Sequence, residues 1–295
     1  RPTQPTFHGR THHQSLSLEL TTALKQLSQR SNVTLFMTLL SAYSILLSRY
    51  SNQQEILIGS TFSDRQTEEV RSLIGLFLNT LIFRIDLSGN PTAQTLFSRV
   101  KQTALSTFTH PHIPFADLSA ELSLEEQRSS WFQAMFILQT IPRPAIALPE
   151  LDPTPVPVHG QSAKCDLSLW MEESDHGLRA EWEYNSDLFK SSTVERIADD
   201  FEQLLTQLVQ ESDRAIAQIP LLSPTKQQQL LALSAASSAI EDRLQPVHQQ
   251  FEAQSTCTPE ATAVETTDGT HSYVQLNQRA NQIARHLQSI GVGEN

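Results

Sequence analysis

The sequence is poor in cysteine, in clustered positive charge and in uninterrupted apolar stretches, and each shortage excludes a class of protein. Only Cys165 and Cys257 occur among 295 residues, far apart and without CxxC spacing, which argues against a disulfide framework or a cysteine-based zinc site. Both read as ordinary thiols in a reducing, cytoplasmic setting. Lys and Arg total 21 against 32 for Asp and Glu, a net charge of −11, and no basic run is long enough to neutralise several phosphates. The expected partners therefore do not include nucleic acid. The longest apolar stretch, Val33 to Leu47, is interrupted by Thr34, Thr38, Ser41 and Ser44. It falls short of the ~20 residues that cross a bilayer, so it predicts a buried core helix and no membrane partner. The chain opens on Arg1-Pro2-Thr3 with no initiator methionine and no signal-peptide pattern, which reads as a fragment of something larger.

A chain of 295 residues suits one large domain or two smaller ones. Leu20, Leu24 and Leu27 share one helical face, and after Ser31-Asn32 a nearly all-apolar helix is predicted to about Tyr50, the pair half exposed and half buried. Glu55–Thr61 and Leu81–Leu87 are β-branched runs of strand length, with an acidic loop around Glu68-Glu69 between them. Pro91-Thr92 opens an amphipathic helix that turns Leu96, Val100, Ala104 and Phe108 to the core. Phe132–Leu138 reads as a buried strand, and Pro142, Pro144, Pro149, Pro153, Pro155 and Pro157 then favour an extended covering loop.

Asp166–Glu172 and Leu178–Tyr184 flank Ser174-Asp175-His176-Gly177 and predict a hairpin. Ser192 is placed to cap a long helix carrying Val194, Ile197, Phe201, Leu204, Leu205 and Leu208. Strands and helices are mixed throughout, so this part is an α/β or α+β layered domain. From Ser223 the character changes: Pro224 begins a Gln-rich helix, and Ser234–Ser238 supplies small, weakly packing residues. Beyond lie a short helix near Val247–Gln254, strands near Ala261–Glu265 and Thr270–Tyr273, and a helix from Val274 to Ile290 stopped by Gly291. These ~50 residues are too few for a comfortable core of their own. The expected domains are 1–222, a linker over 223–244, and a truncated second domain over 245–295.

Ile74-Gly75-Leu76-Phe77-Leu78-Asn79-Thr80-Leu81, with Arg84, resembles the IGxFVNT motif of nonribosomal peptide synthetase condensation domains. His110-Pro111-His112-Ile113-Pro114-Phe115 resembles their (H/N)QDxPFE motif, with Pro111, His112 and Ala116 in place of commoner residues. Lys164–Leu169 and Glu183–Phe189 resemble the KFDLxL and EYNTDLF segments, and Glu125–Met135 matches RDxSRNPLFQ faintly, through Phe132-Gln133. The tail resembles the start of an adenylation domain: Val247–Val264 is similar to FExQAxxTPDAxAV, and Ser272–Leu276 with Asn277, Arg279-Ala280-Asn281 and Ala284 to LTYxELNxRANxLA. The resemblance implies a chloramphenicol-acetyltransferase-like α/β fold for a condensation C-terminal lobe, followed by the N-terminal edge of an acyl-CoA-synthetase-like adenylation domain.

It also implies a chemistry. A condensation domain joins an upstream acyl or peptidyl thioester to the amine of a downstream aminoacyl thioester, both on phosphopantetheine arms of peptidyl carrier domains. The amine must be oriented and its proton managed, which positioning and a well-placed base provide. The family gives that role to the second His of HHxxxDG. The adjacent pair here, His12-His13, has no Asp-Gly at the required offset and reads as two solvated histidines before a strand. The catalytic histidine is thus expected on a preceding, N-terminal lobe, and no catalytic residue is assigned in this chain.

His110 and His112 make two metal ligands with no third or fourth nearby, so a loop is favoured over zinc. Gly75, Phe77, Asn79 and Arg84 are candidates either for lining the substrate tunnel or for holding the motif together. Gly75 would admit close backbone approach, Asn79 would bind substrate or tie a crossover loop to the sheet, and Arg84 would pair with an internal carboxylate. His110, His112 and Asp187 are weaker candidates, and Asp64-Arg65 reads as a solvated turn. The ATP-binding loop of adenylation domains does not occur before Asn295, so ATP and magnesium belong to a complete adenylation domain and not to this stretch. Rival readings are an epimerization domain of the same superfamily and a noncatalytic carrier-docking scaffold or pseudogene product.

Overall fold

The structure, a computed structural model, describes residues 6–63, 68–71, 73–121, 132–139, 160–238, 246–267 and 269–293. The proline-rich stretch, Asp64-Arg65 and most of Glu125–Met135 lie outside the described residues. The chain divides into two compact units, Arg1–Ser223 and Pro224–Asn295.

The first unit is built on a six-stranded mixed sheet of β1 (Gly9–Ser15), β2 (Glu55–Ser63), β3 (Leu78–Asp86), β4 (Ala134–Gln139), β5 (Leu167–Ser174) and β6 (Gly177–Asn185), in spatial order β1-β6-β5-β4-β2-β3. The central strands β2, β4 and β5 are parallel, and antiparallel β3 and β1 form the two edges. Helices α1 (Leu18–Arg30), α2 (Leu35–Ser51), α4 (Ala93–Phe108) and α6 (Ser191–Gln210) bear on one sheet face. Two short helices, α3 (Glu68–Arg71) and α5 (Phe115–Glu121), and a 3-10 turn at Ile216–Gln218 complete the helices of this unit among the described residues.

Period-two alternation explains the buried face. The register sets Phe83, Ile58, Ala134, Leu167 and Tyr184 on one side of successive strands, all buried. Aromatic rings bridge that side to the helices. Phe36 of α2 meets Phe83 at 5.6 Å and Phe136 at 5.4 Å, while Tyr43 meets Trp182 at 6.1 Å, which meets Phe201 of α6 at 5.5 Å. Helices start where short polar side chains accept amide hydrogens: Ser17 from Leu20, Thr34 from Met37 and Thr92 from Thr95.

Several expectations need correction. The helix pair is not evenly half-exposed: Met37 through Leu46 of α2 is buried all round, because β2, β4, α1, α4 and α6 surround it. Its buried hydroxyls donate back along the helix, Ser41 to the Met37 carbonyl and Ser44 to the Leu40 carbonyl, both at 2.7 Å. Ser192 does not cap α6. The extended cap residue is Lys190, and the Ser191 hydroxyl instead donates to Glu195 at 2.7 Å. Glu68-Glu69 begin α3 rather than lying in a loop. His12 and His13 lie within β1, opposite Trp182 and Glu181, not ahead of a strand.

The second unit comprises α7 (Pro224–Ser238), α8 (Val247–Cys257), a hairpin of β7 (Thr262–Thr266) and β8 (Gly269–Ser272), and α9 (Tyr273–Ser289). The small residues Ser234–Ser238, expected as a weakly packing part of the linker, continue α7, whose Ala, Leu and Gln are strong helix formers. A reciprocal cap of Ser272 and Gln275 opens α9, and Gly291, at φ +91°, follows its end.

Candidate functional site

The IGLFLNT stretch straddles an element boundary. Leu78, Asn79 and Thr80 already belong to β3, and the residues leading into it are strongly exposed, Ile74 fully and Leu76 at 84%, as is the first strand residue, Leu78, at 56%. Gly75 is not a point of close approach among the described residues. A side chain added there would meet only the Phe77 ring, at 3.2 Å, and its φ is not in the left-handed range. Arg84 does pair with a carboxylate, but with Glu55 on the adjacent strand, where both side chains are exposed. Such pairs contribute about 0–1 kcal/mol.

Asn79 is the organising residue. Its Nδ2 donates to the carbonyls of Pro111 and Ile113, both at 2.7 Å, and its Oδ1 accepts from the amides of Thr80 at 2.8 Å and Phe115 at 3.2 Å. A carboxamide has two donors and one oxygen with two lone pairs, so this set is full and leaves nothing for a bound substrate. The amide therefore fastens the HPHIPF loop to the start of β3. Pro111 is buried by the arrangement, while His110, His112 and Ile113 stay exposed. The His110 ring lies 2.9 Å from the Thr109 hydroxyl. No group of three or more His, Cys, Asp or Glu able to hold a metal occurs among the described residues.

The same cluster reaches the faint third segment. The Phe115 ring meets Phe132 at 5.7 Å, and Phe132 lies so close over Gly59 of β2 that any side chain there would strike its ring. Three separated stretches of sequence thus meet beside the edge strand β3.

The remaining two stretches meet elsewhere. Asn79 faces Phe62 near the carboxyl end of β2, whereas Tyr184 faces Leu167 at the amino end of β5 and Asn185 faces Gly9 of the other edge strand. Burial first, then the nearby Glu183 and Asp166 carboxylates, pushes the Cys165 thiol up to about 11. Burial also raises Glu183 above the usual carboxylate range. Asp187 is held below that range, first by the Thr6 hydroxyl and then by the His8 ring at 2.8 Å. The sheet face away from the helices carries Trp170, opposite Glu181, whose carboxylate lies 3.7 Å from His13. Sequence reasoning missed Thr6 and His8 as partners of the EYNSDLF stretch; the Asn-Ser-Asp spacing, which favours a side-chain-closed turn, was the available signal.

A layered α/β lobe whose motifs gather at two corners of one sheet defines a fold, and comparison with known proteins names its family. The condensation-domain family model matches residues 1–231, so the chain belongs to the condensation-domain family of nonribosomal peptide synthetases. It is 39% identical over 296 residues to a linear gramicidin synthase of Brevibacillus parabrevis, covering 99% of this chain and 4% of that protein. It is 36% identical to malpinin synthetase of Mortierella alpina, covering 98% of this chain and 4% of that protein. The chain therefore spans a small part of these relatives. Among solved structures, the four-domain nonribosomal peptide synthetase holo-AB3403 matches at a TM-score of 0.80 and 21% identity, over 97% of this chain and 23% of that one. The X-domain from teicoplanin biosynthesis matches at 0.69 and 23% identity, over 75% of this chain and 52% of that one. No single helix among the described residues is long and apolar enough to cross a membrane.

Proposed function

We propose that residues 1–222 are the C-terminal lobe of a condensation domain, that 223–244 link it onward, and that 245–295 open an adenylation domain. The parent enzyme joins carrier-bound aminoacyl or peptidyl thioesters into amides in the cytoplasm, using phosphopantetheine arms supplied by peptidyl carrier domains. Its catalytic base resides on the other lobe; this chain supplies no catalytic residue and holds no metal. ATP and magnesium would act only in a complete adenylation domain.

The observation that carries this reading is the Asn79 clasp on the HPHIPF loop, which joins two of the family's motifs into one exposed apolar edge. Ile74, Leu76, Leu78 and Ile113 present that edge, an arrangement suited to burial against a second lobe. Gly75 and Phe77 shape this edge and Asn79 fixes its loop, while Arg84, paired with Glu55, stays at the rim. His110 and His112 stand on the clasped loop without a proton-transfer role, and Asp187 belongs to the opposite corner. The single-domain structural neighbour is about twice as long as the matched stretch, which also supports a two-lobed parent. For the tail, support comes from curated relatives that match 99% of the chain and so most of residues 224–295. The IGLFLNT run and that tail favour condensation over epimerization.

The test joins this chain to a lobe carrying HHxxxDG and supplies two loaded carrier proteins. Amide formation is expected from the joined protein and none from the chain alone, with Asn79→Ala lowering the joined rate by at least about tenfold through misplacement of the loop. Amide formation by the unjoined chain would overturn the assignment of the base to the other lobe. ATP–pyrophosphate exchange by the chain is expected to be absent.

A further inference from the structure

At the amino end of β5 four pieces of chain come together: Thr6–Gly9, Gln161–Ala163, Asp166-Leu167 and Asn185–Asp187. Asn185 is 6% exposed, and its amide is spent on the polypeptide rather than on an open space. Its Nδ2 donates to the Thr6 carbonyl at 2.6 Å, and its Oδ1 accepts from the Asp187 amide at 2.9 Å, closing a short side-chain turn. That turn aims the next two residues back at the same strand. The Ser186 amide donates to the His8 carbonyl at 2.9 Å, and the Asp187 carboxylate meets the His8 ring at 2.8 Å and the Thr6 hydroxyl.

From the other side, the Gly9 amide donates to the Gln161 carbonyl at 2.9 Å and the Ala163 amide to the Phe7 carbonyl at 2.8 Å. The approach is so close that a side chain on Gly9 would lie 2.2 Å from the Ser162 carbonyl carbon. Ladder pairing of β1 with β6 begins only at Gly9 and Asn185, so residues 6–8 are gripped beyond what the sheet itself provides.

We propose that the Asn185–Asp187 turn, with Gln161–Ala163, is a clasp that fixes the direction from which the polypeptide enters this lobe. Its consequence rests on the two-lobed reading above: the preceding chain then comes from the lobe with the catalytic base, and the clasp is the anchored side of the hinge between them. Asn185 and Asp187 are positioning residues, acting through Thr6 and His8 and touching no substrate. A chain pinned at Thr6–His8 confines the lobes to a narrow set of angles. A loose one lets them sample misaligned geometries, and misplacement of about 1 Å at a reacting centre can cost on the order of a hundredfold in rate.

Two variants separate the clasp from the turn. Asn185→Asp keeps the acceptor for the Asp187 amide but loses the donor to Thr6, and the exposed Asp187→Ala removes the carboxylate's contacts with the His8 ring and the Thr6 hydroxyl while leaving the core untouched. Hydrogen exchange on the whole chain is expected to speed up about tenfold at Gly9 and Ala163 in either variant, the loss of roughly one hydrogen bond, with α2 unchanged. Exchange at those amides equal to the unmodified chain in Asp187→Ala would overturn the clasp, even if Asn185→Asp fails to fold. In the chain joined to an HHxxxDG lobe, paired labels on the two lobes are expected to report a broader distance distribution for Asp187→Ala, and an unchanged distribution overturns the hinge role. A joined, unmodified protein that makes no amide would instead count against the condensation reading, and leaves the exchange result standing on its own.

Discussion

The two units differ less in local signals than in what covers them. Both have capped helices, hairpins closed by a glycine at positive φ, and helices with apolar stripes. In the first unit the stripes end in a continuous core, with Tyr43, Trp182, Phe97 and Phe201 wholly buried. In the second, Ser255 is the single buried residue among those described, and Ile283 and Leu287 of α9 are 56% and 40% exposed. Capping and propensity suffice to start and stop a helix, but stability comes from burying its apolar face. The contrast also locates function. In the first unit the exposed edge of Ile74, Leu76 and Leu78 adjoins a buried core, whereas in the second Ile283, Leu287 and Ile290 are themselves exposed.

The largest test of that contrast is a pair of truncations. Phe201→Ala should cost about 3–5 kcal/mol by opening a cavity in the aromatic core, whereas Leu287→Ala should change stability by less than about 0.5 kcal/mol. Urea titration followed by circular dichroism reads both. A similar cost at the two sites would erase the distinction between the units.

Glycine replacements sharpen it on a smaller scale. Gly177 and Gly269 both close hairpins, at φ +122° and +141°. A side chain at Gly177 would lie 2.2 Å from the Leu16 carbonyl oxygen, while one at Gly269 meets nothing within 4 Å. Both Ala variants carry backbone strain of about 1–3 kcal/mol, and Gly177→Ala should exceed Gly269→Ala because the clash adds to it. Equal melting shifts would mean that the β6 turn relaxes away from Leu16.

The cysteines give a chemical comparison. With its thiol pushed up to about 11, Cys165 carries roughly one thiolate in a thousand at pH 8, so an alkylating reagent should label exposed Cys257 first and Cys165 only slowly. Mass spectrometry of timed samples decides it.

The smallest effect is at the two ends of one motif. Asp187 titrates low, so its contribution is present above the ordinary carboxyl value and fades as pH falls through its lowered value. Glu183 titrates high, so it favours the folded state below the ordinary value and loses that contribution as pH rises through the raised one. Asp187→Asn should therefore flatten part of the acid limb of the stability curve, whereas Glu183→Gln should remove a fall in stability above the ordinary carboxyl value and so steepen the net rise there, both read as melting temperature against pH.

Most of the first unit was legible because period-two and period-3.6 patterns report burial directly. The hairpin at Ser174–Gly177, the amphipathic faces of α4 and α6 and the cap at Thr92 all follow from residue order alone. Ser192 misled because a good capping residue two positions past the true cap looks the same in sequence as one at the helix start. The candidate site was harder. Asn79 stood out by its motif, yet its role depended on carbonyls more than thirty residues away, at Pro111 and Ile113. No local pattern encodes which distant carbonyl an amide will meet.

Residue order by itself determined most of the elements, the buried faces of α4 and α6 and the succession of motifs, because hydrophobic periodicity and backbone capping act over a few residues. Tertiary structure decided the partnerships. It sent three motif stretches to one corner of the sheet and two to the opposite one, filled the hydrogen bonds of Asn79 and drew Thr6 under Asn185. Those choices follow from strand order and crossover connections, which bring together atoms that the chain holds far apart.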